Sequence, residues 1–245
     1  MIDYVILIPT LNRADLLNDA LQAYALSPWK DKLLIILDNG NQDIKKFDHD
    51  SYINYDLSIN GIKFNLDTIH DNWVVMRDWD SKSQGTKAKN FGVSNSWNYM
   101  IEYAIAANPE LTHFLILNDD IVFDTEKYAD IESIIQESGS DKFIEPERGN
   151  WCCFILPKII YANVGLFDGE FYPAYFEDND YDIRMKLAGH EKIRHIGLNP
   201  KIFRNSQTIA KEPTVNQFQK NMDYYIKKWG GMPHNEKFTV PFNKI

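Results

Sequence analysis

Cysteine is nearly absent from this chain of 245 residues: Cys152 and Cys153 are its two thiols, and they are adjacent. Neighbours on a strand point to opposite faces, which argues against an ordinary disulfide between them. Two cysteines also fall short of a zinc site, and no histidine stands at finger-like spacing. Long apolar runs are missing as well, and no stretch approaches the roughly 20 residues of a membrane-spanning helix. The opening Met1-Ile-Asp-Tyr4 lacks the basic segment and apolar core of a signal peptide. A soluble, reducing, cytoplasmic setting is therefore expected. Positive charge is in deficit: the net charge is −9, spread along the chain, with no footprint for wrapping nucleic acid. Repeats and low-complexity segments are absent too. With 44% hydrophobic and 13% aromatic residues, the chain has the material for one domain with a substantial core.

What is present is a rhythm of short apolar runs with polar ends. Tyr4 to Ile8 is a continuous apolar run closed by Pro9, the pattern of a parallel-sheet strand buried on both faces. Thr10, Leu11 and Asn12 follow as a loop, and Leu16, Leu17, Ala20, Leu21 and Tyr24 then share one helical face. Leu33 to Leu37 repeats the strand and ends in Asp38-Asn39-Gly40-Asn41. Strand, helix and strand make a βαβ unit, and in open α/β sheets ligands bind beyond the carboxyl ends of the strands. Thr10, Asn12 and Asp38 fall on that edge, although capping and turns use the same residue types.

Further on, Asn60-Gly61 predicts a hairpin between 55–59 and 62–66, and Trp73 to Met76 predicts a strand. Asn90 opens a helix carrying Trp97, Ile101, Ala104 and Ile105, ended by Asn108-Pro109. Tyr128 to Gln136 reads as an amphipathic helix, 139–150 as a charged loop, and Trp151 to Leu156 as a strand. Phe218, Met222, Tyr225, Ile226 and Trp229 form a helical stripe assigned to the core, stopped by Gly230-Gly231.

Two acidic stretches organise the rest. The apolar run Phe114 to Leu117 stops in Asn118, Asp119 and Asp120, as a buried strand delivering side chains to its end. Carboxylates there suit Mg²⁺ or Mn²⁺, which prefer oxygen ligands and often share them with substrate phosphates; a plain turn would use the same residues. The second stretch, Tyr175 to Tyr181, supplies Glu177, Asp178 and Asp180 beside aromatic residues. Its plain alternative is a solvated acidic helix start, with Asp180 either assisting a base or capping the helix.

Taken in order, these segments resemble the nucleotide-sugar glycosyltransferases of the GT-A fold, in the broad family 2 group. Ile6-Leu-Ile-Pro-Thr-Leu-Asn-Arg13 is similar to that family's opening strand and loop. Ile36-Leu-Asp-Asn-Gly40 is similar to its second strand, whose terminal Asp contacts the base. Asn90-Phe-Gly-Val-Ser-Asn-Ser-Trp-Asn98 resembles its Asn-x-Gly-x-x-x-x-x-Asn helix start, and Leu117-Asn-Asp-Asp120 stands where its metal-binding Asp-x-Asp motif would be. Gly165-Leu-Phe-Asp168 through Phe176-Glu-Asp-Asn-Asp-Tyr-Asp-Ile-Arg184 looks like its acceptor-side segment. The likeness runs from about residue 4 to 190. It departs from the family at Asn118, which replaces the first Asp, and at Arg204, where a further His is common; His195 lies nearby but earlier.

The resemblance implies a single α/β domain with a Rossmann-like, mostly parallel central sheet flanked by helices. A nucleotide-sugar half would span about 1–120, an acceptor half about 121–210 and a C-terminal helix about 214–230. It implies transfer of a hexosyl or pentosyl group from a nucleoside-diphosphate sugar, foremost a UDP-sugar, with inversion. Thr10, Asn12, Arg13, Asp38, Asn90, Asn118, Asp119 and Arg204 would bind the donor, and Asp120 would hold Mn²⁺ or Mg²⁺. Asp178 would be the general base, with Glu177 its rival. Tyr172, Tyr175 and Phe176 would wall the site. The acceptor would be a glycan, a lipid-linked sugar or a hydroxymethylated DNA base, the last disfavoured by the acidic balance, although Lys82, Lys87 and Lys89 make a small basic loop. A nucleotidyltransferase is the alternative enzyme class, but Pro9-Thr-Leu-Asn-Arg13 has no Gly-rich phosphate loop. A non-catalytic nucleotide-sugar-binding module is the third reading, opposed by Asp120 and Glu177-Asp178.

Overall fold

Alternation along the first strand sets up both halves of the core. In β1 (Tyr4–Thr10) Tyr4, Ile6 and Ile8 enter one apolar cluster, while Val5 and Leu7 enter the other, as the period-two geometry of a strand demands. Helix α1 (Ala14–Ala25) covers the first face with Leu17, Leu21 and Tyr24, and α2 (Gly92–Ala107) covers the second with Trp97, Met100 and Ile101. Both faces of the sheet are thus buried, which is why its central strands are apolar runs and not alternating ones.

The computed structural model describes residues 2–47, 54–80, 89–124, 128, 130–148, 151–203 and 217–244. The remaining strands are β2 (Leu34–Asp38), β3 (Asn54–Ile59), β4 (Ile62–His70), β5 (Trp73–Asp78), β6 (His113–Leu117), β7 (Ile121–Val122), β8 (Phe143–Pro146), β9 (Cys153–Pro157), β10 (Lys192–His195) and β11 (Ile202–Phe203). The remaining helices are α3 (Ile131–Ser138), α4 (Lys158–Val164), α5 (Glu177–Leu187) and α6 (Phe218–Trp229).

One nine-stranded sheet runs β10-β8-β9-β6-β1-β2-β5-β4-β3. Its centre, β6-β1-β2-β5, is parallel throughout, and its flanks are reached through antiparallel pairings of β9 with β6 and β4 with β5. In register, Thr10 lies beside Asp38, and Asp38 beside Arg77. Strands β7 and β11 form a separate antiparallel ribbon, with Phe203 opposite Ile121.

The hairpin at Asn60-Gly61, the strands at Tyr4, Leu34, Trp73 and His113, and the helix after Asn90 stand as the sequence predicts. Two expectations need correction. The charged 139–150 segment contains β8, which pairs with β9 and β10; charged residues hid a strand whose Glu145 faces Arg194. The α6 stripe is only half core: Tyr225 and Trp229 are buried, but Phe218 and Ile226 are exposed, and the buried face includes Asn221 and Lys228. Among the described residues no helix is long and apolar enough to cross a membrane.

Candidate active site

The carboxyl ends of β1, β2 and β6 converge through side chains. The Thr10 hydroxyl donates to Asp119 Oδ2 at 2.8 Å and accepts from Gln42 Nε2 at 3.1 Å. The Asn39 amide donates to the Thr10 carbonyl at 2.9 Å. Asp38 is buried and engaged by protein donors on both oxygens: the amides of Gly40 (2.9 Å) and Gln42 (2.7 Å), the Gln42 side chain (3.1 Å) and Arg77 Nε (3.0 Å). Arg77 also reaches Asp67 at 2.8 Å. Asp38 therefore shapes the 39–42 turn and neutralises a buried arginine. Arg77, Gln42 and Asn39 were not singled out from sequence, although a basic residue ending the apolar run Trp73–Met76 was the available signal.

Asn12 is exposed with φ of 56°, a left-handed conformation that Asn tolerates. Gly40 lies against it; a Cβ there would stand 2.5 Å from Asn12 Oδ1. Arg13 makes a bidentate pair with Asp15 at 3.1 and 3.2 Å. That bond raises its pKa further against a small desolvation cost, with the charges of Asp15, Asp119 and Asp120 adding to it. Asp119 is buried, and desolvation pushes its carboxyl up to about 7, with Asp120 adding repulsion and the Thr10 hydroxyl and Arg13 opposing. Asp120 is buried beside it and Asn118 is half-buried. Among the described residues no three His, Cys, Asp or Glu side chains converge as a metal cage. Asp119 and Asp120 fit a divalent ion whose other ligands are phosphate oxygens and water, a common arrangement for Mg²⁺.

Helix α2 connects this edge to the second acidic stretch. Asn39 Oδ1 accepts from the Phe91 amide at 2.8 Å, and Asn39 Nδ2 donates to Ser96 at 3.0 Å. Asn90 Oδ1 accepts the Gly92 amide at 2.8 Å. Gly92 has φ of 75°, and a Cβ on it would meet the Tyr172 ring at 2.9 Å and the Pro173 carbonyl at 3.0 Å. The Val93 amide donates to that same carbonyl at 2.8 Å. One turn on, Asn98 latches the backbone of Phe167 through two bonds, 2.8 and 2.9 Å. The Asn-x-Gly-x-x-x-x-x-Asn pattern thus has a local cause: it docks α2 onto the turn ahead of α5.

That turn is strained. Tyr175 and Phe176 have φ of 80° and 74°, conformations that cost bulky residues about 1–3 kcal/mol each. Helix α6 secures it: Asn221 Nδ2 donates to the carbonyls of Ala174 (2.8 Å) and Tyr175 (3.3 Å), and Phe176 packs on Tyr225 and Phe218. Glu177 and Asp178 then open α5. Glu177 is buried, and its Oε2 has no hydrogen-bond partner among the described residues. Burial, then the Asp178 charge, push its pKa well above the ordinary carboxylate value. Burial also raises Asp178, against the Asn179 amide at 2.8 Å and Lys192, with Asp182 adding repulsion.

Asp180 does not cap α5. Phe176 is the N-cap residue, and Asp180, buried one turn inside, accepts from Arg184 (2.8 Å), Trp229 Nε1 (2.9 Å) and Lys228 (2.6 Å). Lys228 also binds Asp168 at 2.6 Å. His195 sits at the end of β10, 3.6 Å from Glu137. Arg204, Lys82 and Lys87 lie outside the described residues.

No family model matches the chain. The galactofuranosyl glycosyltransferase of Leishmania donovani is 49% identical over 39 residues, 16% of this chain and 9% of that protein. The mannosyltransferase PcManGT from Pyrobaculum calidifontis, in complex with GDP-Man and Mn²⁺, matches 80% of this chain and 55% of its own, with TM-score 0.52 and 9% identity. TarS 1–349 from S. aureus matches 76% of this chain and 56% of its own, with TM-score 0.48 and 12% identity. The chain spans about half the length of these solved structures. Its fold is the GT-A fold of the mannosyltransferase.

Proposed function

We propose that the chain transfers a sugar from a nucleoside diphosphate to an acceptor hydroxyl, with inversion. One observation carries this reading: the start of α2 is bonded both to the edge bearing Thr10, Asp38 and Asp119 and to the turn presenting Glu177 and Asp178. A donor edge and a base both tied to one helix start suit a direct displacement. The GT-A fold supports it, and PcManGT carries GDP-Man and Mn²⁺.

In this reading the 10–12 loop and the Asp38 turn hold the nucleoside, with Asp38 setting the turn's shape. Asn118 and Asp119 serve the ribose and Arg13 and Asn90 the diphosphate side, with Arg204 a further diphosphate contact. Asp120, with Asp119, would bind a divalent ion, which supplies charge neutralisation at the leaving diphosphate. Asp178 takes the acceptor's proton. It is the better base of the pair, because Glu177 is pushed well above its ordinary pKa and its own charge is disfavoured first.

The test is mass spectrometry of the purified protein with a panel of nucleotide sugars, led by UDP-sugars and GDP-Man, with Mn²⁺ or with chelator. Release of free sugar and nucleoside diphosphate, abolished by chelation, is expected. Intact donors across the panel, or pyrophosphate exchange in their place, would overturn the reading in favour of a binding module or a nucleotidyltransferase.

A further inference from the structure

We propose that Lys192 is a positioning residue for the reaction: by pairing with Asp182 it neutralises the turn of α5 behind Asp178, and so keeps that carboxylate able to take a proton near neutral pH. This rests on Asp178 being the base, as read above. Lys192 Nζ lies 2.5 Å from Asp182 Oδ2. Asp178 and Asp182 stand one turn apart on α5 and share a helix face. Asp178 accepts the Asn179 amide at 2.8 Å, but an amide carries no net charge to balance a carboxylate. A second carboxylate one turn away disfavours the charged form of the first unless a cation offsets it.

The sheet puts Lys192 there. Phe143 of β8 enters the apolar cluster that also holds Tyr181 and Met185 of α5, and Glu145, two residues on, faces the same side. Parallel register sets Lys192 of β10 beside Phe143 and Arg194 beside Glu145. Both cations therefore stand on the face that α5 covers. Glu145 is fully buried; its Oε1 accepts from Arg194 Nε at 2.9 Å and lies 3.6 Å from Lys192. Its Oε2 has no hydrogen-bond partner among the described residues. A buried carboxylate at this position holds Lys192 toward α5, with Asp182 as its second anchor.

The charges around the base define what each should do. Facing Asp178 are Glu177 on its own helix, Asp182 one turn on, Lys192 of β10 and Tyr225 of α6; behind Asp182 stand Glu145 of β8 and His234 after α6. Arg194 is engaged by Glu145, and its side chain is 56% exposed. Lys192 is thus the cation set between Asp182 and Glu145. Lys192 lowers the Asp178 pKa, against the larger effect of burial, and Asp182 raises it. Removing the one or the other should move the Asp178 carboxyl in opposite directions, which general damage to the fold would not do.

Carboxyl-labelled aspartate, titrated by NMR in the whole chain, tests this, with the Asp178 signal assigned by its loss in Asp178→Asn. The variants are Lys192→Met, Asp182→Asn and the conservative Lys192→Arg, at positions whose side chains are 29% and 25% exposed. The Asp178 midpoint should rise by about 0.5–1 pH unit in Lys192→Met, fall in Asp182→Asn and stay within about 0.2 unit in Lys192→Arg. Hydrolysis of the nucleotide sugar at saturating Mn²⁺ should follow the midpoint. Below it Lys192→Met should lose about three- to tenfold, and above it match wild type. An unmoved midpoint in Lys192→Met, shifts of one sign in Lys192→Met and Asp182→Asn, or a loss of hydrolysis equal at every pH would overturn the proposal. If Lys192→Met fails to fold, Asp182→Asn decides, and an unmoved or raised midpoint there overturns it. Absence of hydrolysis in wild type would instead defeat the enzymatic reading, while the midpoints still decide whether Lys192 governs the Asp178 charge.

Discussion

Removing the Lys228 ammonium should unfasten α6 from the turn that presents the acid pair. Lys228 is buried and lies 2.6 Å from both Asp168 and Asp180. In Lys228→Met the side chain keeps its apolar contacts but leaves the buried Asp180 and the half-buried Asp168 without their shared cation. Breaking a buried pair from one side costs about 3–5 kcal/mol. Both carboxylates keep other donors, Arg184 and Trp229 on Asp180 and Tyr224 on Asp168, so the lower end, about 3 kcal/mol, applies. For a chain of this length that is a fall of about 6–12 °C in Tm. The pH dependence has a defined sign. Burial works to raise the Asp168 carboxyl, but Lys228, with the Glu170 amide and the Tyr224 hydroxyl, holds it below its ordinary 3.8. Its contribution is thus present above pH 3.8 and lost as pH falls below it. In Lys228→Met the same carboxyl should rise, so acid unfolding should begin at higher pH, and Lys228→Arg should recover most of the loss. Urea unfolding followed by near-ultraviolet circular dichroism, across pH, measures both effects. A loss below about 1 kcal/mol, the scale of an exposed pair, with an unmoved acid limb would refute the reasoning.

Asn98→Ala should cost about 2–4 kcal/mol by leaving a buried amide and carbonyl of Phe167 unpaired, read by the same urea titration. Asp38→Ala should raise the donor KM more than it lowers kcat and also destabilise the fold, because buried Arg77 loses one of its two carboxylate partners among the described residues, Asp38, and keeps Asp67; unchanged donor affinity by calorimetry would contradict the nucleoside assignment. Asp119 titrates near 7, above the ordinary 3.8, so its contribution to stability is present below pH 3.8 and lost as pH rises through about 7. Asp119→Asn should therefore be more stable than wild type at pH 8 without added metal, with little difference at pH 4, while transfer falls; thermal melts at the two pH values check this.

The parts of the fold buried on two faces were legible in the sequence. Tyr4–Ile8, Leu33–Leu37 and Phe114–Leu117 are unbroken apolar runs because they lie at the centre of the sheet, and each ends in the polar residues that line its carboxyl edge. Strands β8 and β10 were not legible, because four residues each, carrying Glu145, Lys192 and Arg194, give neither length nor alternation. Asp180 reads locally as a helix cap or as the helper of a base, and Lys228 carries no local signal of its role. Only tertiary folding brings them together across 48 positions, at 2.6 Å. The same holds for Asn39 and Ser96, whose bond joins the end of β2 to α2. Motif order singled out Glu177 and Asp178 as candidates, but the reasons for the motif, the Gly92–Pro173 approach and the Asn98 latch, required the structure.

The most direct test of the account is the turnover of Asp178→Asn beside Glu177→Gln, with donor affinity by calorimetry and the anomeric configuration of the product. Asparagine keeps the size and the bond to the Asn179 amide but accepts no proton, so transfer should fall by roughly two to four powers of ten with donor affinity unchanged. Glu177→Gln should lose far less, because in this account Glu177 is not the proton acceptor. The product should carry inverted configuration. Near-native transfer by Asp178→Asn, or a product that retains the donor's configuration, would contradict Asp178 as the base of a direct displacement.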